Sequence, residues 1–300
     1  MLQAVAFAAP VGLAVAMRRS RLRDVAVCAL QMWAYVAAYK APHDDEEAQR
    51  ARVLVDYPIV VDRVLGLGEL PTLRLQRALA STGRWQALDK ALVWTHWLWF
   101  AVPHTALAWI LWRQPARFPR AAAMTYAVFD LGAIVYWIAP TAPPWYAASV
   151  AGRAEEFVGG LREQTDECVL DGRGAESSEQ IVVRRMMAEY GEFFWKDGWG
   201  PLYSVFGGNP LAAMPSLHFA TSLMAAMLLR ETGVVAGAAG AAYCGALGFA
   251  LVYLGEHYVV DLLGGAALAL AVRRVEPRLA PSLRRAAALV AHVEQWAWDG

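Results

Sequence analysis

The sequence contains few charged residues for its length. Only 18% of its 300 residues are Asp, Glu, Lys or Arg, whereas 58% are hydrophobic, and the mean hydropathy is +0.32. Soluble domains are nearer to one quarter charged. The formal net charge is zero, so the basic surplus of nucleic-acid-binding proteins is absent. Three cysteines are too few for a disulfide framework. These shortages argue against a nucleic-acid partner and a disulfide-rich secreted domain, and they indicate an integral membrane protein.

The chain contains several long apolar runs. Segments that span a membrane must be helices or closed barrels, and these runs are too long for barrel strands of about ten residues. Thirteen tryptophans add rings that favour membrane interfaces. The predicted fold class is therefore an all-α integral membrane protein with a bundle of six or seven transmembrane helices. The predicted spans are 2–17, 24–40, 88–112, 121–139, 214–229, 234–254 and 257–272.

Basic residues predict the orientation of these helices. Arginines follow the first, third, fifth and seventh runs, and Lys and Arg of short loops stay on the cytoplasmic side. If the chain has seven spans, all of these arginines fall on the same side of the membrane. The first run is short for a span, so the predicted number of spans is six or seven. We therefore predict a multi-pass protein of the cell membrane, with the polar stretches 41–87 and 140–213 outside.

The chain is predicted to divide into three parts. Residues 1–87 form N-terminal transmembrane helices and an interfacial segment. Residues 88–273 form the catalytic core, which includes the extracytoplasmic loop 140–213. Residues 274–300 form an amphipathic cytoplasmic tail.

Two polar motifs stand at the ends of apolar runs. The motif "PSLH" places Ser216 and His218 at the start of the fifth helix, and "GEHYVVD" places His257 and Asp261 at the start of the seventh. The predicted topology brings all four residues to the outer surface, together with "APTAPPWY" at the end of the fourth helix. Residues scattered by chance would lie on both faces, so this convergence predicts a site.

The residue types in these motifs suit phosphoryl transfer. His257 and Asp261 are four residues apart and share one helical face, so the carboxylate can fix the imidazole tautomer and leave its other nitrogen free. The helix start at Ser216 favours a bound anion, phosphate in particular. One histidine is then suited to attack phosphorus, and the other to protonate the leaving oxygen.

The motifs "AAMPSLH" and "GEHYVVDLLGG" resemble the second and third signatures of the type 2 phosphatidic acid phosphatase (PAP2) superfamily. "PSLH", "HYVVD" and "PTAPPW" are similar to its inositol phosphorylceramide synthase-like branch, and the likeness covers roughly residues 88–273. The resemblance implies a six-helix core and a phosphohistidine reaction without metal or cofactor. It implies that His257 is the nucleophile, Asp261 its orienting partner, His218 the general acid, and Ser216 a ligand of phosphate oxygens.

The sequence departs from the superfamily in its phosphate-binding cations. Ala250 and Leu251 stand where the phosphatases carry a serine and an arginine, and the first motif, a lysine followed by "RP", is not present. Phosphoryl transfer needs cations to stabilise the developing charge. Lys90, Arg184 and Arg185 are the candidate replacements, although each is also suited to be an interfacial residue.

These features predict a membrane enzyme that acts on a lipid phosphate at the extracytoplasmic face. Its substrate would be a phospholipid, a sphingolipid or an isoprenoid phosphate, and the sequence distinguishes neither among these nor between hydrolysis and transfer to a lipid alcohol. The alternatives are an intramembrane serine protease that uses Ser216 with His257, and a non-catalytic protein that binds or transports anionic lipids. Such a protease would require small residues on both sides of its serine, and the sequence "MPSLH" lacks them.

Other polar residues lie within predicted spans. Asp130 lies in the middle of the fourth helix, where a lone charge is costly, so it is expected to pair within the bundle or to support the site from below. His96 and His104 lie on the third helix. For His96 an interior hydrogen-bonded histidine is favoured over a residue that lines a substrate cavity.

Overall fold

The computed structural model describes residues 2–41, 46–81, 84–149, 183–201 and 209–299, and these residues are helical apart from turns, connecting segments and two isolated β-bridges. The α-helices are α1 (Leu2–Ala16), α2 (Arg21–Lys40), α3 (Glu46–Arg50), α4 (Asp56–Leu65), α5 (Pro71–Leu79), α6 (Ala87–Leu98), α7 (Val102–Arg113), α8 (Phe118–Ile138), α9 (Pro144–Ser149), α10 (Met186–Trp195), α11 (Leu217–Thr232), α12 (Val234–Tyr253) and α13 (Val259–Asp299).

Helix α11 is the centre of the bundle. It packs against α7, α8, α12 and α13, while α2 packs against the outer side of α8. Small residues allow the close approach of α12, because a Cβ atom added to Gly240 would lie only 2.9 Å from the Ala226 Cα atom on α11. Such small-residue contacts are typical of helix packing in membrane proteins.

The predicted span 88–112 is a broken helix. Helix α6 ends at Leu98, and α7 begins at Val102 with Pro103 in its first turn. The backbone N–H groups between them bond to carbonyls only three residues back, as in Trp99 to His96 at 3.1 Å. Proline lacks an N–H group and favours the first turn of a helix over its interior. The prediction of one continuous helix here is therefore wrong, and the break places an aromatic segment inside the bundle.

Within the described part of the chain, two helical stretches are long and apolar enough to cross a membrane. They are Pro115–Ile138 and Val234–Tyr253, and Ala4–Ala16 is a shorter apolar helix. The break after α6 and the 16-residue length of α11 leave the predicted spans 88–112 and 214–229 too short for this criterion. The number of six or seven spans stays a prediction.

Charged residues gather where α11 ends. Glu231 pairs with Arg120 of α8 at 2.8 Å and with Arg273 of α13, and Arg120 also contacts Glu276 at 3.0 Å. The basic residues that follow the third and seventh predicted spans therefore lie together at one end of α11. The prediction for Asp130 is confirmed, because Gln31 Nε2 on α2 donates to its carboxylate at 3.0 Å.

Candidate active site

Three distant segments meet where α11 and α13 begin. Thr141, in the "APTAPPWY" segment, donates its N–H to the Leu211 carbonyl and accepts from the Ala213 N–H, at 2.9 and 3.1 Å. On its other side, the Leu54 N–H donates to the Pro140 carbonyl at 2.8 Å. The segment therefore fixes the chain that leads into "PSLH", as the predicted convergence requires.

The two signature motifs also bond directly to each other. The Ser216 N–H donates to the Asp261 carbonyl at 2.9 Å, and the Tyr136 hydroxyl donates to the Pro215 carbonyl at 2.7 Å. Gly265 of "LLGG" makes this close approach possible, because a Cβ atom at residue 265 would clash with the Ser216 carbonyl oxygen. The starts of α11 and α13 are therefore held in fixed register.

A chain of contacts joins His218, His257 and Asp261. The His218 Nδ1 and His257 Nε2 atoms are 3.2 Å apart, and His257 Nδ1 lies 3.4 Å from Asp261 Oδ2. The same Asp261 oxygen accepts the Tyr258 N–H at 2.9 Å. His257 is only 4% exposed and Asp261 is fully buried. With Nδ1 directed to the carboxylate, the lone pair of His257 Nε2 is directed towards His218.

This arrangement can hold and move a proton, and it can present a nucleophile. A separation of 3.2 Å leaves no room for a phosphoryl group between the two imidazoles. A phosphate that reaches His257 must therefore displace their mutual contact. The carboxylate behind His257 would stabilise the positive charge that the ring acquires when its other nitrogen forms a bond.

Ser216 serves as the N-cap of α11. Its hydroxyl oxygen accepts the Phe219 N–H at 3.4 Å, and the residue is fully buried. This is the usual role of serine at a helix start. Among the described residues its side chain makes no hydrogen bond with an imidazole, so the geometry does not supply the serine–histidine pair that a protease needs. Its role in phosphate binding stays a prediction.

The histidine pair opens into a cavity of about 660 Å³. Side chains of α2, of α6 and the break after it, of α10 and of the residues that follow α10 form much of its wall. Trp99, in the break, donates to Thr221 Oγ1 at 2.9 Å and packs its ring 4.1 Å from that of His218. The aromatic wall includes Tyr35, Tyr39, Trp94, Trp97, Trp99 and Trp199. Such a wall suits an apolar ligand with a polar group near the histidines.

The candidate cations have different positions. Arg185 lines the cavity, lies 3.8 Å over the Trp145 ring and contacts Glu256 at 3.4 Å. Arg184 turns away and pairs with Glu189 at 2.6 Å, and Lys90 is exposed on α6 outside the cavity wall. The structure thus brings only Arg185 of the three to the site.

The sequence analysis missed one cation. Lys40, the last residue of α2, also lines the cavity. Its position at the end of an apolar run was the available signal. However, nothing in the sequence indicates that α2 lies beside the histidines.

His96 corrects another expectation. It lies near the end of α6, is 4% exposed and lines the cavity. Neither of its ring nitrogens has a hydrogen-bond partner among the described residues. The expectation of an interior hydrogen-bonded histidine is therefore wrong, because His96 lines the cavity and both of its ring nitrogens lack such a partner in the described part of the chain.

Asp62 is a further residue that the sequence did not reveal. Its two carboxylate oxygens accept the N–H groups of Val259 and Val260, each at 2.8 Å, and it is fully buried. It therefore caps the start of α13, the helix that carries Asp261. This helix begins two residues after His257. Burial raises the pKa of Asp62 to about 6, although the two backbone N–H groups act in the opposite direction.

The stability of the fold is expected to depend on the protonation of Asp62. Because its pKa is raised above the ordinary value of 3.8, the folded chain binds this proton more tightly than the unfolded chain. Its stabilising contribution is thus present at low pH and is lost as the pH rises through about 4 to 6. The melting temperature of the wild type minus that of Asp62→Asn should decrease across this range. A constant difference would show that Asp62 does not titrate there.

Metal-binding residues do not cluster in the described part of the chain. No group of three or more His, Cys, Asp or Glu side chains that would suit a metal ion occurs there. The polar residues of the cavity wall include four histidines, Glu256, Asn209 and the cationic residues Arg185 and Lys40. This set suits an anionic ligand.

Comparison with known proteins agrees with the geometry. The family model described as PAP2 superfamily matches residues 59–275, which is more than half of the chain and includes both histidine motifs. No curated protein and no solved structure matches the chain. The match includes Asp62, α6, α10 and the starts of α11 and α13, whereas α2, which lines the cavity, lies before it. The chain belongs to the PAP2 superfamily.

Proposed function

We propose that this protein is a membrane enzyme that cleaves or transfers the phosphate group of a lipid through a phosphohistidine on His257. Membership of the PAP2 superfamily and two apolar helices support a membrane-associated enzyme of lipid phosphates. The observation that carries the finer proposal is the contact chain from His218 through His257 to Asp261, at the wall of an aromatic cavity.

In the first step, His257 Nε2 attacks phosphorus. A P–N bond forms, and the P–O bond to the lipid alcohol breaks. The leaving oxygen takes a proton from His218, and Asp261 stabilises the charged ring of His257. Arg185 lies at the cavity wall and would bind the phosphate oxygens, a task that the superfamily's missing arginine would otherwise perform.

In the second step, a hydroxyl oxygen attacks the phosphohistidine. The P–N bond breaks, the hydroxyl proton passes to His218, and His257 returns to its first state. If water attacks, the products are a lipid alcohol and phosphate; if a lipid alcohol attacks, the head group is transferred. Resemblance to the inositol phosphorylceramide synthase-like branch favours transfer, whereas the superfamily as a whole favours hydrolysis.

The cavity supports a substrate with an apolar body. Its aromatic wall would bury acyl or isoprenoid chain, while the histidines and Arg185 face the phosphate. A phospholipid, a sphingolipid or an isoprenoid phosphate meets this description. The predicted orientation of the helices would place the reaction at the extracytoplasmic face of a multi-pass protein.

A panel of lipid substrates tests this function. Purified protein in detergent is incubated, with a metal chelator, with phosphatidic acid, an isoprenoid phosphate and phosphatidylinositol, each with and without a ceramide or diacylglycerol acceptor. We expect phosphate release or a new phospholipid on thin-layer analysis. No product from any substrate, from protein whose fold is verified by its melting transition, would contradict the proposal.

Arg185 is expected to contribute to substrate binding and Arg184 is not. Arg185→Gln should lower kcat/KM about 10²- to 10³-fold, because one charged hydrogen-bond donor is lost at the phosphate. Arg184→Gln is the matched control, since its guanidinium pairs with Glu189 outside the cavity, and its loss should be much smaller. Equal losses in the two variants would contradict the assignment of Arg185.

A further inference from the structure

His96 is a buried polar residue that the proposed mechanism does not use. It is 4% exposed, it lines the cavity, and both ring nitrogens lack hydrogen-bond partners among the described residues. A buried polar atom left unsatisfied costs about 1–3 kcal/mol. Two such atoms in one cavity wall therefore indicate that a ligand supplies the partners.

The ring of His96 lies beside the proposed general acid. It stacks on His218 with ring centroids 5.0 Å apart and an angle of 30° between the planes. His218 in turn contacts His257 at 3.2 Å. His96 also lies near enough to His257 and Arg185 to interact with both electrostatically. A group bound by His96 would thus be close to the reacting phosphorus.

The chemistry of an imidazole restricts what this group is. An uncharged ring has one N–H donor and one nitrogen that accepts. A fully ionised phosphate offers acceptors only, and an acyl chain offers neither. The accepting nitrogen needs a hydrogen-bond donor, and a hydroxyl group is one. A reactant that carries hydroxyls, with or without an accompanying water, supplies both partners.

We propose that His96 binds the hydroxyl-bearing reactant that attacks the phosphohistidine, an inference that rests on the proposed function. The His96 N–H donates to the attacking oxygen and directs it at phosphorus. The oxygen then bonds to phosphorus, the P–N bond to His257 breaks, and the hydroxyl proton passes to His218. His96 keeps its own proton throughout, so it orients the attacking group without serving as its base.

Separate rates of phosphoenzyme formation and breakdown test this role. His96→Phe keeps a ring that can stack on His218 but removes both nitrogens. The full-length variant is mixed with ³²P-labelled phosphatidic acid in detergent micelles, or with the lipid phosphate that reacts fastest in the panel. We expect formation within about twofold of wild type and breakdown slowed about 10- to 100-fold, as for the loss of one hydrogen bond at the attacking oxygen.

Two acceptors distinguish the sources of the hydroxyl. Breakdown is followed in buffer alone and with a diacylglycerol of different chain length. Slower transfer with normal hydrolysis identifies the lipid alcohol as the ligand, and slower hydrolysis identifies water. His96→Asn, which retains a donor and an acceptor, should recover part of the rate. Thr95→Val is the control for α6, because among the described residues the Thr95 hydroxyl bonds to its own helix alone, at the Ala91 carbonyl.

The outcomes separate this inference from the proposed function. Breakdown at the wild-type rate with both acceptors, or equal slowing of formation and breakdown, overturns the role of His96 while the phosphohistidine mechanism stands. If the wild type forms no phosphoenzyme, the proposed function fails and the role of His96 fails with it.

Discussion

Replacing His257 by alanine is expected to lower kcat at least about 10⁴-fold, since the variant has no nitrogen with which to bond phosphorus. Loss of the fold is not expected to be the cause. The backbone N–H of residue 257 bonds to the Leu251 carbonyl and does not depend on the side chain. Steady-state turnover of the best substrate from the panel is the measurement, with melting temperature recorded for each variant.

The control for this prediction is His292→Ala. His292 is exposed on α13, far along the helix from the site, and its removal should leave turnover unchanged. A protein that only binds or transports anionic lipids would show no turnover in the wild type, and its lipid binding would survive either substitution. Turnover that survives His257→Ala would contradict the mechanism.

Replacing His218 by alanine is expected to have an effect that depends on the leaving group. With an alkyl phosphate ester, formation of the phosphoenzyme should slow about 10²- to 10⁴-fold, because the departing oxygen no longer receives a proton. With a nitrophenyl phosphate ester the loss should shrink to about tenfold, since nitrophenolate leaves without a proton. The burst of nitrophenol and the single-turnover cleavage of the alkyl ester are the two rates to compare.

The dependence on the leaving group separates acid catalysis from other roles of His218. If His218 only supports the position of His257, both esters should slow by the same factor. Such an outcome would contradict its assignment as general acid. The comparison is internal to one variant, so differences in folding or purity between proteins cannot produce it.

Much of the site follows from local sequence. The four-residue spacing of His257 and Asp261 predicts a contact on one helical face. Their side chains do lie 3.4 Å apart, although His257 itself precedes α13, which begins at Val259. A serine after a proline predicts a helix start, and Ser216 caps α11. The apolar runs and their basic ends predict that both motifs lie at one end of the bundle. Each of these predictions rests on residues close together in the sequence or on the order of the apolar runs along the chain.

The residues that the sequence did not reveal depend on contacts between distant segments. Asp62 caps a helix that begins 197 residues later, and no local pattern records such a bond. His96 lines the cavity from the last turn of α6, just before a break in the chain, whereas hydrophobicity alone predicts a continuous span. Lys40 joins the wall because α2 packs on α8. Tertiary packing, which periodicity does not encode, decides all three positions.

The most direct test of the phosphohistidine is to trap and locate it. The wild type is quenched in alkali during turnover of a ³²P-labelled lipid phosphate in the presence of a chelator, and the labelled peptide is mapped. A phosphoramidate on histidine resists alkali and is lost in acid, whereas a phosphate ester on serine resists acid. We predict an acid-labile label on His257 that is absent from His257→Ala. An acid-stable label on Ser216, or rapid turnover without any protein-bound label, would contradict the mechanism.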